Sequence, residues 1–369
     1  MTMQFSLTEE QQELAKTVRA VILRRLSSTS LRDAFASQAG YDEVLWKALC
    51  GQVGVTALSV PENMGGLGFT SFETHIVLEE LGRTLTPSPL LSSGVLGVQA
   101  LLYGADAQEQ ARLLPELAEG AREAALCWAD EHGRWRTDGS SVIGRDQDGS
   151  WYLDGVSTLV LGSSESTTLL VVASTSDGAA LFEADPASDG VTLESVRGVD
   201  PTMRFGTVRF DGAAARRLGG FGDRLADLHA AASTAITALQ VGGAQAALDR
   251  TVAHLSERVQ FGRPLASFQA LKHRCADMLV AVETARSISW AAAWAAAEST
   301  PDMRRQSAIA ASWCSEAFSA VAREMVQMHG GIAITWEHDA HLYFKRAHST
   351  AQLLGAPHEH RRLLGAGVR

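Results

Sequence analysis

Two separate stretches of the sequence carry side chains suited to holding a large anionic ligand. Residues 258–278 read RVQFGRPLASFQALKHRCADM, and residues 327–331 read QMHGG. An arginine binds phosphate through two hydrogen bonds, and a glycine pair lets a backbone approach a ligand closely. Each such residue alone is more typical of a surface charge or a helix stop, so the prediction rests on the whole set. The candidate cofactor-binding residues are Arg258, Phe261, Gln269, Gln327, Gly330 and Gly331.

Four long helical patterns must position these residues. Apolar residues recur at helical spacing over 225–259, 267–298, 303–329 and 337–354, with short connections between them. The pattern predicts an antiparallel four-helix bundle. Arg258 falls at the end of the first helix, and the glycine pair is expected to stop the third as a left-handed cap.

The rest of the chain predicts two further domains. Helical patterns cover 42–53, 71–83, 92–103 and 107–119, and Thr8 with Gln11 forms a capping-box pattern for an earlier helix. From about residue 124 the apolar period is two, which indicates an antiparallel β-domain with hairpins at Asp154-Gly155 and Asp177-Gly178. The expected fold class is α+β, with a helical domain at 1–123, a β-barrel or sandwich at 124–219 and the four-helix bundle at 220–369.

Composition excludes several kinds of partner. The 369 residues carry a net charge of −10, which argues against nucleic acid and anionic membranes. The four cysteines form no CxxC pair and favour reduced thiols in a cytoplasmic protein. The acidic, amphipathic start is not typical of a signal peptide, and no apolar run is long enough to span a membrane.

With these motifs the sequence resembles the acyl-CoA dehydrogenase family over nearly its whole length. The resemblance includes SVPENMGGLG, VLEELGR, the 258–278 stretch and QMHGGIAITWEHD. It implies non-covalent FAD, an acyl-CoA substrate, an electron-transfer acceptor, and dimers or tetramers. It also implies that the arginine, the Phe-Gly turn and the QxxGG strip of one subunit hold FAD seated mainly on its neighbour. The family's reaction is α,β-dehydrogenation, in which a carboxylate removes the α-proton and flavin N5 takes the β-hydride.

Both positions where the family usually carries that carboxylate lack one. By the resemblance these positions are Leu354 and Ala232, and neither side chain can accept a proton. The loop and strand that cup the flavin in the family correspond here to 127–130 and 159–161, and both depart from the family's pattern. The sequence therefore resembles a non-catalytic subunit of the actinobacterial α2β2 enzymes that act on sterol side-chain CoA esters. Such a subunit would complete the FAD site of a catalytic partner.

Three alternatives remain open. In the first, a self-sufficient homo-oligomeric dehydrogenase uses a relocated base, for which Glu359 is the nearest carboxylate in sequence and Asp130 a weaker candidate. In the second, the chain is a scaffold that binds no flavin. In the third, a helical bundle binds a metal through the histidines near the C-terminus, although no paired Glu-x-x-His motifs support it. These histidines are His338, His341, His348, His358 and His360.

Overall fold

The structure is a computed structural model that describes residues 6–164 and 166–366. The α-helices are α1 (Glu9–Leu23), α2 (Ser28–Ala36), α3 (Glu43–Ala48), α4 (Ser71–Thr84), α5 (Val98–Gly104), α6 (Ala107–Ala118), α7 (Leu225–Glu257), α8 (Gln269–Ala297), α9 (Met303–His329), α10 (Ala340–Thr350) and α11 (Pro357–Ala366). The strands are β1 (Ala124–Cys127), β2 (Ile143–Gln147), β3 (Ser150–Leu161), β4 (Thr168–Thr175), β5 (Gly178–Ala184), β6 (Val191–Val196), β7 (Phe205–Gly220), β8 (Val259–Gln260) and β9 (Arg263–Pro264). The order is helices, then strands, then helices, as expected for the predicted α+β class.

Local capping signals act as the sequence predicts. The Thr8 side chain accepts a hydrogen bond from the backbone N–H of Gln11, and the Gln11 side chain accepts one from Thr8 N–H. The Asp42 carboxylate caps α3 in the same manner, by accepting from two backbone N–H groups. The predicted helix at 92–103 differs, because it begins as a π-helix over Leu90–Gly97 before α5.

The chain divides into two compact units. One contains the described residues up to Ser37, His75–Pro87 and those from Ser233 onward; the other contains Gln38–Thr74 and Ser88–Ala232. The three-domain division at residues 123 and 219 stays a prediction.

In the second unit the pairings β4–β5–β7–β3–β2–β4 close on themselves, so the sheet forms a barrel. The turn predicted at Asp177-Gly178 is present but lies one residue earlier: Thr175 pairs with Gly178, so Ser176 and Asp177 make the turn. Two other expectations are wrong: the sheet is mixed, because β1 runs parallel to β4, and Asp154-Gly155 is not a hairpin turn.

The turn that replaces it lies a few residues earlier. Gln147 pairs with Ser150, and the two residues between them, Asp148 and Gly149, have φ of 55° and 88°. Positive φ at both central residues is the geometry of the favoured two-residue hairpin turn. Strand β3 runs on through Asp154-Gly155, where its pairing with β7 shifts register and the Asp154 carboxylate accepts a hydrogen bond from Gly212 N–H.

In the first unit α7 and α4 cross at glycines. A Cβ on Gly242 would lie 1.9 Å from the carbonyl oxygen of Glu79, and one on Gly82 would lie 2.4 Å from that of Leu239. Polar bonds flank the crossing: the Arg286 guanidinium and the Trp290 indole N–H both donate to the buried Glu79 carboxylate. The VGGAQ glycines therefore serve close helix packing.

The predicted third helix of the bundle, 303–329, has the same bounds as α9. The predicted fourth helix, 337–354, ends earlier in the structure than predicted. Gly330 ends α9 with φ 66° and ψ −146°, so φ is positive as predicted while ψ lies outside the left-handed helical region. Helix α10 stops at Thr350, and a separate helix, α11, follows and packs against α9. Among the described helices, none has an apolar stretch long enough to cross a membrane.

Candidate functional site

The first motif folds into a small hairpin between α7 and α8. Strands β8 and β9 pair through Gln260 and Arg263, and the two residues between them, Phe261 and Gly262, have φ of 55° and 77°. Leu265 N–H donates to the carbonyl of Arg258 at 2.8 Å and closes the base of the hairpin. The Phe261 side chain is 88% exposed, and its ring meets that of Phe268 edge to face at 6.0 Å. The Phe261 ring is thus exposed at the turn of a hydrogen-bonded hairpin.

Among the described residues, the polar side chains of the site make no hydrogen bonds or ion pairs. Arg258, Gln269 and Gln327 are exposed. In the part of the chain that the structure describes, no carboxylate pairs with Arg258 and neither glutamine amide makes a hydrogen bond. Gln269 is the first residue of α8, a 29-residue helix without a side-chain N-cap, so free backbone N–H groups and the positive end of the helix dipole lie beside it. These groups together suit an anionic ligand.

The fold brings the second motif to the same end of the bundle. The rings of His254 on α7 and His329 on α9 stack with centroids 4.3 Å apart. Arg274 on α8 pairs with Glu324 on α9 at 2.5 Å. The stack of His254 and His329 therefore joins α7 to the QMHGG segment one turn before Arg258.

The backbone of this surface is open to a ligand. A Cβ added to Gly262, Gly330 or Gly331 would meet no atom within 4 Å. The donors, the open glycines and the exposed ring are of the kinds that can contact one part of an FAD molecule. We refer to Arg258, Phe261, Gln269, Gln327, Gly330 and Gly331 as the candidate half-site.

Both resemblance-derived base positions are apolar and buried. Leu354 is 2% exposed and Ala232 is fully buried. The Glu359 carboxylate lies close to Gly355, but it accepts a hydrogen bond from Ala356 N–H at 2.8 Å and thereby caps α11. The weaker candidate Asp130 is also engaged, because its carboxylate accepts from the backbone N–H groups of His132 and Arg134.

In the segment that the resemblance matches to the family's flavin-binding loop, the side chains make contacts within the chain. Trp128 is 2% exposed, its indole N–H donates to the carbonyl of Arg136 at 2.8 Å, and its ring meets that of His229 edge to face. Burial raises the pKa of the Cys127 thiol beside it far above its usual range. The side chains of this loop are thus used in local packing and turns.

A third histidine extends the stack, and this cluster was not predicted from the sequence. The His338 ring lies 4.9 Å from that of His329, and the segment before it is held by Arg32, which donates to the carbonyl of Trp336 and pairs with Asp339. The signal was available, since His254 lies one turn before Arg258 and His329 lies inside QMHGG. Among the described residues, no group of three or more histidine, cysteine or acidic side chains could hold a metal ion.

Comparisons with known proteins identify the class. Residues 8–121 match the acyl-CoA dehydrogenase N-terminal domain, and residues 228–368 match the C-terminal domain. The chain therefore belongs to the acyl-CoA dehydrogenase family, a family of oxidoreductases, and it has that family's fold.

Particular relatives cover almost the whole chain. Acyl-CoA dehydrogenase IpdE2 of Mycolicibacterium smegmatis is 38% identical over 365 residues, which are 98% of this chain and 100% of that protein. The crystal structure of the ChsE4-ChsE5 complex from Mycobacterium tuberculosis matches with a TM-score of 0.91 at 29% identity, covering 99% of this chain and 98% of that one. A Tcur3481-Tcur3483 steroid ACAD variant matches with a TM-score of 0.89 at 30% identity, covering 97% of each.

Proposed function

We propose that this chain is a subunit of an FAD-dependent acyl-CoA dehydrogenase that completes the FAD site of a catalytic partner and supplies no base itself. The observation that carries the proposal is a contrast between two sets of residues. The side chains that would reach a neighbour's flavin are exposed and unpartnered among the described residues, whereas both usual base positions hold buried apolar side chains.

Each residue of the half-site has a role under this proposal. Arg258 would bind a phosphate, and the amides of Gln269 and Gln327 would bond a phosphate or the edge of a ring. Phe261 would lie against the ring system, and the backbone at Gly330-Gly331 would approach the cofactor closely. FAD, when bound, accepts the β-hydride of the acyl thioester. The α-proton would go to a carboxylate of the partner subunit, since Leu354 and Ala232 cannot take it.

The relatives suggest a substrate class. One structural relative is titled a steroid ACAD, and another is a complex of two named chains. We therefore propose a bulky polycyclic acyl-CoA ester, such as a sterol side-chain CoA ester, and an assembly of two kinds of acyl-CoA dehydrogenase subunit. An electron-transfer acceptor would reoxidise the flavin. The alternative of a homo-oligomer with Glu359 as base is weakened by the capping role of that carboxylate.

The test is expression of the chain alone and together with the neighbouring dehydrogenase gene product, with FAD per chain and turnover measured. We expect flavin and turnover only in the joint preparation. Full flavin occupancy and good turnover from the lone chain would refute the partnership.

A second measurement tests the assigned residues. Arg258→Ala should lower the flavin content of the complex, because a charge-assisted phosphate contact contributes about 1.5–3 kcal/mol. The control is Arg305→Ala, an exposed arginine near the other end of α9. Equal flavin in the two variants would mean that the phosphate contact lies elsewhere.

A further inference from the structure

Three imidazole rings join the two motifs of the half-site. His254 lies on α7 one turn before Arg258, His329 lies directly before Gly330, and His338 lies just before α10. The first two rings stack with centroids 4.3 Å apart at 23°, and the third packs on His329 at 4.9 Å and 56°. The stack therefore ties the ends of two long helices to the segment that precedes a third.

Hydrogen bonds set the protonation of two of these rings. His329 Nδ1 lies 2.7 Å from the carbonyl oxygen of Met325, so this nitrogen carries a proton and donates. His338 Nδ1 lies 3.1 Å from the backbone N–H of Ala340, so this nitrogen accepts and must be unprotonated. Protonation of His338 at this nitrogen would break the bond that begins α10.

The charged groups around the stack are mostly cations. Arg250 faces it from α7, Arg258 from just after α7 and Arg32 from α2. Glu257 and Asp339 are the nearby carboxylates. Asp339 is itself paired with two of these arginines, Arg32 and Arg250. Burial lowers the pKa of His329 to about 4; the hydrogen bond to Met325 opposes this shift, and the neighbouring histidines and Arg250 add to it. Burial is also the main cause that lowers the pKa of His254 and of His338.

We propose that the His254–His329–His338 stack is a positioning joint, which holds Arg258 and the Gln327–Gly331 segment in register for the cofactor while its rings are neutral. The proposal rests on the proposed function, because the cofactor in question is the partner's FAD. A neutral stack gains from ring contact, whereas adjacent imidazolium ions would repel each other and the arginines. The three histidines would touch no reacting atom and would act through Arg258 and the glycine strip.

The direction of the pH dependence follows from the lowered pKa values. The unfolded chain binds protons near pH 6.5, where the folded stack does not, so the stack stabilises the fold fully above about pH 6.5. This contribution is lost as the pH falls from there towards about 4. Flavin retention should therefore weaken on acidification before the whole chain unfolds.

Two substitutions of His254 distinguish the effect of ring contact from the effect of protonation. His254→Ala removes the ring, and we expect on the order of tenfold weaker flavin retention at about pH 7.5, as for other residues that orient a binding group. His254→Phe keeps a flat ring without a titrating nitrogen. It should retain flavin at about pH 7.5 and lose less of it than the wild type at about pH 5. His358→Phe, at an exposed position on α11, is the control.

The measurement is flavin per complex after gel filtration, accompanied by circular dichroism to confirm folding. Wild-type flavin retention in His254→Ala at both pH values would refute the positioning role of the stack. A second readout needs no flavin: NMR titration of ¹³C-labelled histidine in the full chain alone should give His329 a midpoint well below 6.5 that rises in His254→Ala. An ordinary midpoint in the wild type would also overturn the joint. A complex that never binds flavin would refute the proposed function, and the titration would still decide the joint.

Discussion

At position 354, which the resemblance matches to the family's usual base, a buried leucine has a strained backbone. Its φ is 62°, and the side chain is 2% exposed. A left-handed conformation costs a residue with a side chain roughly 1–2 kcal/mol. Full burial of a leucine contributes about 1.5–3 kcal/mol, so the packing offsets the strain. The residue is therefore explained by packing, and it offers no proton acceptor.

Glu359 is the residue on which the alternative of a relocated base depends. Glu359→Gln should leave the turnover of the complex unchanged, because an amide oxygen can still accept the hydrogen bond from Ala356 N–H. The companion variant Glu359→Ala should lower stability by about 0.5–2 kcal/mol through loss of the cap. Steady-state kinetics and urea unfolding measure the two effects. A fall in turnover of several orders of magnitude in the glutamine variant would establish the relocated base.

Among the elements, α7 has the largest share in placing the site. Its end leads into the Phe261-Gly262 hairpin, and its position against α4 is fixed where Gly82 and Gly242 let the two backbones approach. Polar pairs on both sides of this crossing, including that of Arg83 with Asp249 at 2.8 Å, set its register along the helix. A displacement of α7 would move Arg258 relative to α9.

Gly242→Ala tests this crossing. The added Cβ would overlap the carbonyl oxygen of Glu79, which is backbone and cannot swing away, so we expect a loss of about 1–3 kcal/mol or more. The matched control is Gly51→Ala, where a Cβ meets nothing within 4 Å and the change should be neutral or slightly stabilising. Thermal unfolding of both variants gives the comparison. Equal melting temperatures would mean that the helices can separate without cost.

At the scale of the whole molecule, several large apolar side chains near the half-site are exposed. Val259 is 54% exposed, Ile332 49%, Ile334 76% and Trp336 54%, in addition to Phe261 at 88%. Several exposed apolar side chains next to a ligand site are typical of a surface that another protein covers. This observation fits a half-site that is completed by a second subunit.

Ile334→Ser should therefore weaken assembly without weakening the fold. An exposed substitution usually changes folding stability by less than about 0.5 kcal/mol, whereas truncation of a central interface hot spot costs more than about 1 kcal/mol of association. Val199→Ser, at a 59% exposed position of the other compact unit, is the control. Analytical ultracentrifugation measures assembly, and thermal unfolding measures the fold. Assembly as strong as in the wild type would place the interface elsewhere.

The sequence by itself determined the features that are encoded locally. Periodicity and the following glycine pair gave the bounds of α9, Thr8 and Gln11 gave the first cap, and residues 258–278 with QMHGG gave the family. Each of these signals is complete within a few turns of chain, so no distant contact is needed to interpret it.

Only the tertiary structure decided which of two Asp-Gly pairs turns the chain and which histidines meet. Both pairs allow a hairpin, but the residues flanking Asp154-Gly155 pair with β7, while those flanking Asp148-Gly149 pair with each other. His254, His329 and His338 are distant in sequence and stack because helix packing brings their segments together. Pairing and packing depend on partners far along the chain, and local patterns do not specify those partners.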